Sequence, residues 1–333
     1  MGSSPSSSLH PTFVAAFRSA ADENGFITFE DFMAIALYHP GVGYYRRDKD
    51  RVGQRPGTDF FTASSLGPVF GELVLAAVLG DLEQRGQDPA RFTFVEIGAE
   101  SGRSILDKVP HPFAAIRPIA VAQSLDLQGP NVVFSNELFD AQPCARFVRS
   151  ADGWNEIGVK LEADQLTETH RTVGAPSPDL PSNLPVGYHL DLPRRAAALT
   201  RTIAKPGWFG SFYAFDYGKS WAELTQACPQ GTVRAYRSHQ QSHDLLSFPG
   251  EQDLTCHVCW DWISRALTES GFETHSILSQ EAFFVKKAAN ALAEIMAAEA
   301  GGMTPRKAGL LQLLHPSALG QKFQVLTAWR KES

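Results

Sequence analysis

The sequence predicts an α/β fold, and three segments carry that prediction. Residues 91–97, RFTFVEI, are short, apolar and rich in β-forming residues, which is typical of a buried strand. GAESG (98–102) follows as a turn, and SILDKV (104–109) can begin a helix. Residues 207–218, GWFGSFYAFDYG, predict another buried strand. In doubly wound sheets built from such units, ligands bind at the carboxyl ends of the strands.

The composition is ordinary for a soluble globular protein of 333 residues, with 43% hydrophobic and 20% charged residues. A net charge of -6 argues against a general nucleic-acid binder, and no apolar run reaches membrane-spanning length, so neither is an expected partner. The polar, Ser-rich residues 1–10 are predicted to be a disordered tail. Four cysteines do not make a disulfide framework in a chain of this length, so a reducing, cytoplasmic setting is expected.

Residues 11–88 are predicted to be a helical region with one long loop. Two amphipathic helices are separated at Gly25, and Thr28 with Asp31 begins the second with a capping pattern. A glycine- and aromatic-rich loop leads to a third helix over 65–86.

Residues 89–333 are predicted to be the α/β core. IRPIAVA (116–122) and NVVFSNE (131–137) predict two further strands, separated by only eight residues, Gln123 to Pro130. Parallel neighbours need a crossover of about a dozen residues or more, so part of the usual layer is missing.

The rest of the core alternates between helical and extended segments. Its predicted elements are an antiparallel meander at about 144–175, a helix in 190–207, a helix in 255–272, a strand over 273–279, a helical insertion at about 281–316 and a last strand over 322–329.

With these pieces in order, the chain resembles the MidA-like family of S-adenosylmethionine-dependent methyltransferases, relatives of the mitochondrial arginine methyltransferase that assists complex I assembly. Several blocks occur in one order, which is more specific than any single block. They are FEDFMAIALYHPGVGYY (29–45), TDFFTASSLGPVFGE (58–72), NELFDAQP (136–143), FDYG (215–218), GTVRAYRSH (231–239) and PGEQDLTCHV (249–258).

This resemblance implies a class I methyltransferase core, Rossmann-like, with a mostly parallel sheet and an antiparallel last strand. It implies S-adenosylmethionine as the cofactor and a protein arginine as the methyl acceptor, so the expected partner is a protein. An unrelated nucleotide-binding dehydrogenase does not account for the later blocks.

The resemblance also implies which residues face the acceptor. Carboxylates can hold a planar, cationic guanidinium through paired hydrogen bonds, and Glu137 and Asp140 lie just past a predicted strand end. The alternative is that Asn136 and Asp140 only cap the following turn. Asp253 and His257 lie in a later block and are further catalytic candidates, although a lone histidine is more often structural.

The cofactor-binding candidates are carried by the loop after the first strand, by the end of a later strand and by the segment before the third helix. They are Asp59, Phe60, Thr62, Glu96, Gly98, Glu100, Gly102 and Asn136.

Four departures from the family pattern fall on the donor side. The family loop reads G-P-G-R-G, and its central glycine is Glu100 here; the glycine of G-D-F is Thr58, and the acidic residue expected on the ribose is Ala122. The fourth departure is the short crossover, which removes a donor-side strand. We therefore expect S-adenosylmethionine to bind weakly or not at all. Two hypotheses follow: a methyltransferase with a degraded donor site, or an inactive relative that acts as a protein-binding or assembly factor.

The segment Cys256-His257-Val258-Cys259 invites a metal-site interpretation. The family block needs no cysteines there and the C-x-x-C is single, so the cysteines are interpreted as incidental and no metal is predicted.

Overall fold

The computed structural model describes residues 9–47, 63–99, 102–174, 177–274 and 277–332. Within these ranges the α-helices are α1 (Pro11–Ala20), α2 (Phe29–Tyr38), α3 (Pro68–Gln84), α4 (Arg194–Ile203), α5 (Trp221–Gln226), α6 (Trp260–Glu269), α7 (Gln280–Lys287), α8 (Ala289–Ala298) and α9 (Pro305–Leu314). The strands are β1 (Phe26–Thr28), β2 (Thr93–Ile97), β3 (Ala115–Ile119), β4 (Gly129–Asn136), β5 (Ala145–Ser150), β6 (Gly153–Glu162), β7 (Gln165–Thr172), β8 (His189–Leu192), β9 (Trp208–Asp216), β10 (Gly218–Lys219), β11 (Arg234–Arg237), β12 (Gln240–Ser242), β13 (Asp253–Thr255), β14 (Val258–Cys259), β15 (Glu273–Thr274), β16 (Leu278–Ser279) and β17 (Gln324–Arg330).

The central sheet has the order β15-β17-β9-β4-β2-β3, with β16 also paired to β17. Strands β3, β2, β4 and β9 are parallel to their neighbours, and β17 is antiparallel to β9. The mostly parallel sheet and the antiparallel last strand agree with the fold class that the sequence predicts. Register aligns Ile97 with Ser135 and Asn136 with Phe215, so the carboxyl ends of three strands meet at one edge.

Apolar side chains cover both faces of this sheet. One face packs under α3 and the helices α7 to α9, with Phe70, Phe134 and Phe215 at its centre. The other face packs under α4 and α6, with Val133 and Phe212 buried there. Near-continuous apolar strands are expected when both faces are covered.

The meander forms a second sheet beside the core. Strands β5, β6 and β7 are antiparallel, and β1 and β8 join them at β6 and β5. The inclusion of β1 ties the N-terminal region to this sheet. In the N-terminal region, the predicted cap is confirmed, because the Thr28 hydroxyl accepts a hydrogen bond from the Asp31 amide at 3.0 Å.

The helix predicted at 104–109 is wrong, since turns replace it in this described segment. Six residues before Pro110 are too few to offset the cost of helix nucleation. Moreover, Oε2 of Glu96 accepts hydrogen bonds from the Ser104 hydroxyl and the Ile105 amide, at 2.7 and 2.8 Å. The segment is therefore fastened to β2 instead of continuing as a helix.

The two described ends of the strand predicted over 273–279 are the short strands β15 and β16, which both pair antiparallel with β17, and residues 275–276 lie outside the described ranges. At the opposite edge, β3 has β2 as its neighbour in the sheet. The segment 120–128 that leaves β3 contains no helix among its residues, all of which are described.

No helix in the described part of the chain has the length and apolarity needed to cross a membrane. Of the predicted tail, residues 1–8 lie outside the described ranges.

Candidate functional site

The candidate site lies where β2, β4 and β9 end. The loop after β2 holds the predicted donor residues Gly98 and Gly102, and the loop after β4 holds Glu137 and Asp140. Open α/β sheets bind ligands at this kind of edge because the strand ends leave a crevice between diverging loops.

On the donor side, Glu96 is buried and is bonded to the segment 104–105. Burial raises the pKa of Glu96 to about 7, although the bonds from Ser104 and Ile105 act in the opposite direction. The side chain thus holds the loop after β2 in place, and one of its oxygens is already used twice by the protein.

The two predicted glycines, Gly98 and Gly102, both have positive φ, 84° and 67°, which favours glycine. The Gly98 amide donates to the Ile119 carbonyl at 2.9 Å, so the loop is fastened to β3. A Cβ at Gly98 would lie 3.0 Å from Cδ1 of Leu138, which means that Leu138 packs closely against this glycine. The donor loop and the acidic loop therefore touch at this point.

Asn136 ends β4 between the two loops. Its Nδ2 donates to Oε1 of Glu137 at 2.9 Å. Its buried Oδ1, and the buried hydroxyl of Ser135, have no hydrogen-bond partner among the described residues. Since buried polar groups are almost always paired, these two atoms fit a polar ligand group at the strand ends.

Four of the predicted cofactor residues, Asp59, Phe60, Thr62 and Glu100, lie outside the described residues. Ala122 is described and has a positive φ of 69°.

The acceptor side gathers acidic groups from three parts of the chain. Asp140 is buried, and burial raises its pKa well above the usual range, with Asp216, Glu137 and Asp253 adding to the rise. Asp216 ends β9 and Asp253 begins β13. The structure thus brings the predicted Glu137, Asp140 and Asp253 together, and adds Asp216.

Tyrosines surround these carboxyl groups, and the sequence did not single them out. The Tyr45 hydroxyl donates to Oδ1 of Asp253 at 2.8 Å, and Tyr38 stacks on Tyr45 with ring centroids 5.5 Å apart. Tyr236 lies opposite Asp253 in the β11–β13 pair. Burial raises the pKa of Tyr217 well above its usual range, and Glu137 and Asp140 raise it further. The only sequence signal was their position inside the matched blocks.

The buried Nδ1 of His257 has no hydrogen-bond partner among the described residues. Burial, together with Lys219 and Arg234, lowers the pKa of His257 to about 4, and Asp191 and Glu223 act in the opposite direction. None of the carboxyl groups of the acceptor side is among these influences. Nor do the described residues include a group of three or more His, Cys, Asp and Glu side chains that could hold a metal ion.

Fold and site together define a methyltransferase-like α/β protein whose acceptor side is acidic and lined by tyrosines. A family model described as "Putative S-adenosyl-L-methionine-dependent methyltransferase" matches residues 114–278. The mitochondrial protein arginine methyltransferase NDUFAF7 of Mus musculus is 22% identical, covering 90% of this chain and 80% of that protein. Its mitochondrial homolog in Caenorhabditis elegans is 25% identical, covering 74% of this chain and 69% of that protein.

Among solved structures, a "likely methyl transferase from Burkholderia thailandensis bound to S-adenosyl-homocysteine" superposes with a TM-score of 0.80 at 24% identity, covering 97% of this chain and 94% of that one. At this identity the superposition shows the fold. Together these matches confirm the predicted resemblance to the MidA-like S-adenosylmethionine-dependent methyltransferases. The predicted cofactor agrees with the family's description.

The expected cytoplasmic setting is contradicted, because the curated relatives are named as mitochondrial proteins. The cysteine count indicated a reducing compartment, and it could not separate one such compartment from another.

The pKa of Glu96 leads to a stability prediction. Because the folded-state pKa is raised from 4.5 to about 7, the stability that Glu96 contributes is present below pH 4.5 and is lost as the pH rises through 7. The glutamine in Glu96→Gln cannot ionise. When the pH rises from about 5 to about 8, the unfolding free energy of this variant should therefore fall by about 2–3 kcal/mol less than that of the wild type. Urea denaturation at both pH values measures this, with exposed Glu83→Gln as the control, and equal losses in all three proteins would contradict it.

Proposed function

We propose that this protein is a methyltransferase-family protein whose acceptor site takes the guanidinium group of a protein arginine, and whose donor site is weakened. The observation that carries the proposal is the acidic group of Glu137, Asp140 and Asp253 within a wall of tyrosines. The mouse and worm relatives are named as protein arginine methyltransferases, which supports the same acceptor class.

The electrostatics of the acceptor side favour a cation. Burial raises the pKa of Asp140 well above its usual range, and the nearby carboxyl groups raise it further. A bound guanidinium would lower the pKa of Asp140, so that the carboxyl group loses its proton. The carboxylate could then form two or more charge-assisted hydrogen bonds with the guanidinium. Its flat face would lie against the tyrosine rings, which attract cations through their π electrons.

Methyl transfer asks mainly for alignment, since the acceptor nitrogen must face the transferred group. Glu137 and Asp140 would hold two guanidinium nitrogens and leave the third towards the donor side, because both follow β4 and so lie next to the loop after β2. A carboxylate of this group would then accept the proton that the methylated nitrogen loses. Asp253, held by Tyr45, would support the far side of the cation.

S-adenosylmethionine supplies an electrophilic methyl group on a sulfonium. The residues at the strand ends fit its methionyl part, since the buried Ser135 and Asn136 oxygens lack partners among the described residues and suit its ammonium group. The ribose part fits less well, because Ala122 offers it no carboxylate.

A second candidate is an inactive relative that binds a protein partner through the same acidic face. It is favoured by the sheet edge at β3 and by the turns at 104–109, which together leave the donor side without a strand beyond β3 and without a helix after β2 in the described residues. We interpret this edge as the place where the donor-side strand would lie if the short crossover had not removed it.

The acceptor proposal is tested by binding. N-acetyl-arginine amide should bind, detected by chemical-shift changes or calorimetry, and N-acetyl-lysine amide should bind about tenfold more weakly, because the ammonium group cannot bridge two carboxylates in a plane. The neutral isostere N-acetyl-citrulline amide is the matched control for shape without charge. Equal binding of all three amides, or none, would refute the assignment of a guanidinium site.

A further inference from the structure

Within the block FDYG, Tyr217 is one of the tyrosines around the acceptor carboxyl groups, and Asp216 contacts a different set of partners. Asp216 ends β9, and its side chain is fully buried beside the acidic loop, residues 137–141. A buried carboxylate is costly unless hydrogen bonds satisfy it. The partners of this carboxylate therefore show what it does.

Those partners are backbone amides of the acidic loop. Oδ2 of Asp216 accepts from the Phe139 amide at 2.8 Å, and Oδ1 accepts from the Tyr217 amide at 2.9 Å. The Leu138 and Asp140 amides also bond to it. Burial raises the pKa of Asp216 to about 7, and these amide bonds act in the opposite direction. Successive amides of one short loop thus converge on a single carboxylate.

The remaining contacts pin the same loop by its carbonyls and its first amide. The Glu137 amide donates to the Phe215 carbonyl at 2.9 Å, and the Cys256 amide donates to the Asp140 carbonyl at 2.8 Å. The Tyr38 hydroxyl donates to the Ala141 carbonyl at 2.9 Å. Glu137 itself has a φ of 52°, which a non-glycine residue adopts only where its surroundings hold it.

We infer that Asp216 is a positioning residue, which holds the amides of Leu138, Phe139 and Asp140 so that the side chains of Glu137 and Asp140 face the acceptor. This inference rests on the proposed function, since it assigns those two side chains to the acceptor. It explains why a carboxylate stands at the end of β9, where it faces Asp140 and repels it. The hydrogen bonds from the backbone amides offset this repulsion. The same hydrogen bonds hold the loop in its conformation.

Amide hydrogen exchange on the wild type is the first measurement, because it does not depend on a variant folding. The amides of residues 138–140 should exchange far more slowly than those of the exposed connection 120–128. Exchange at the same rate in both segments would overturn the inference.

The second measurement compares Asp216→Asn with Asp81→Asn. Asp81 is a matched control, because it also accepts a hydrogen bond from β9, at the Tyr213 hydroxyl, and its other bond is with Lys287 instead of the acidic loop. Asp216→Asn should speed exchange over 136–142 and weaken binding of N-acetyl-arginine amide by about tenfold or more, whereas Asp81→Asn should change neither. Asp216→Glu keeps the charge and should recover part of the affinity.

The outcomes separate the two proposals. If the wild type and Asp216→Asn bind the amide equally well, Asp216 is only structural and the inference is overturned while the acceptor site stands. If the wild type does not bind the amide, the proposed function falls and the inference falls with it. Faster exchange with weaker binding, in Asp216→Asn alone, supports both.

Discussion

Glu137→Gln is expected to abolish methyl transfer to an arginine peptide and to leave the affinity for S-adenosyl-homocysteine nearly unchanged. The glutamine keeps the size of the side chain and can still accept a hydrogen bond, but it loses the charge that holds the guanidinium. A charge-assisted hydrogen bond contributes roughly 1.5–3 kcal/mol, so each one lost costs about tenfold to more than a hundredfold in acceptor binding. Turnover is measured as S-adenosyl-homocysteine released with an acetylated, amidated Gly-Gly-Arg-Gly-Gly peptide.

A matched control separates this local effect from the general negative field of the protein. Glu251→Gln makes the same charge change in a neighbouring block, where Glu251 is exposed and pairs with Arg47 and Arg237 at the surface. Surface pairs contribute little, so Glu251→Gln should behave as the wild type. Wild-type turnover in Glu137→Gln would remove Glu137 from the acceptor site.

The parts of the site that the sequence could predict are those set by local patterns. Apolar runs place the ends of β4 and β9, so the position of Glu137 after one strand and of Asp216 at the end of another could be deduced from neighbouring residues. The cap at Thr28 is equally local, because the capping bond joins residues three apart.

What the sequence could not predict depends on contacts between distant parts of the chain. The segment 104–109 has a helical pattern, but it forms turns, and its Ile105 amide donates to Glu96 of β2 outside the segment. Tyr45 reaches Asp253 from 208 residues away, and no periodicity connects them. The hydrogen bond between Asp216 and the acidic loop is also a tertiary contact, because it joins Asp216 to Phe139, which is 77 residues away in the chain.

The donor side shows the same limit from the opposite direction. The sequence predicts a weakened donor site from individual residues, and the contacts of the segment after β2 are consistent with that prediction. In a doubly wound sheet, free amides at the N-terminus of the helix after the first strand receive the charged end of a ligand. Here the segment forms turns in its described residues, and the Ile105 amide is bonded to Glu96. The Glu96 carboxylate thus accepts a hydrogen bond from a backbone amide that could otherwise donate to a ligand.

We therefore expect S-adenosyl-homocysteine to bind with a dissociation constant in the high micromolar range or weaker. The missing carboxylate at Ala122 alone removes a charge-assisted ribose bond, which costs roughly 1.5–3 kcal/mol, or about tenfold to more than a hundredfold in affinity. The absence of a strand beyond β3 in the described residues removes part of the wall for the adenosine and adds to this loss. Calorimetric titration of the purified protein measures the constant directly.

Two variants separate the causes on the donor side. Glu100→Gln removes only the charge that would repel the methionyl carboxylate, and Glu100→Gly also restores the backbone freedom of the family loop. Both should improve affinity, with Glu100→Gly the better of the two, but neither should reach the low micromolar range, because the ribose contact and the adenosine wall are still missing. Low-micromolar binding by the wild type would show an intact donor site and would favour an active methyltransferase over the inactive relative. Full recovery in Glu100→Gly would show that a single side chain, and not the shortened sheet, is what weakens the site.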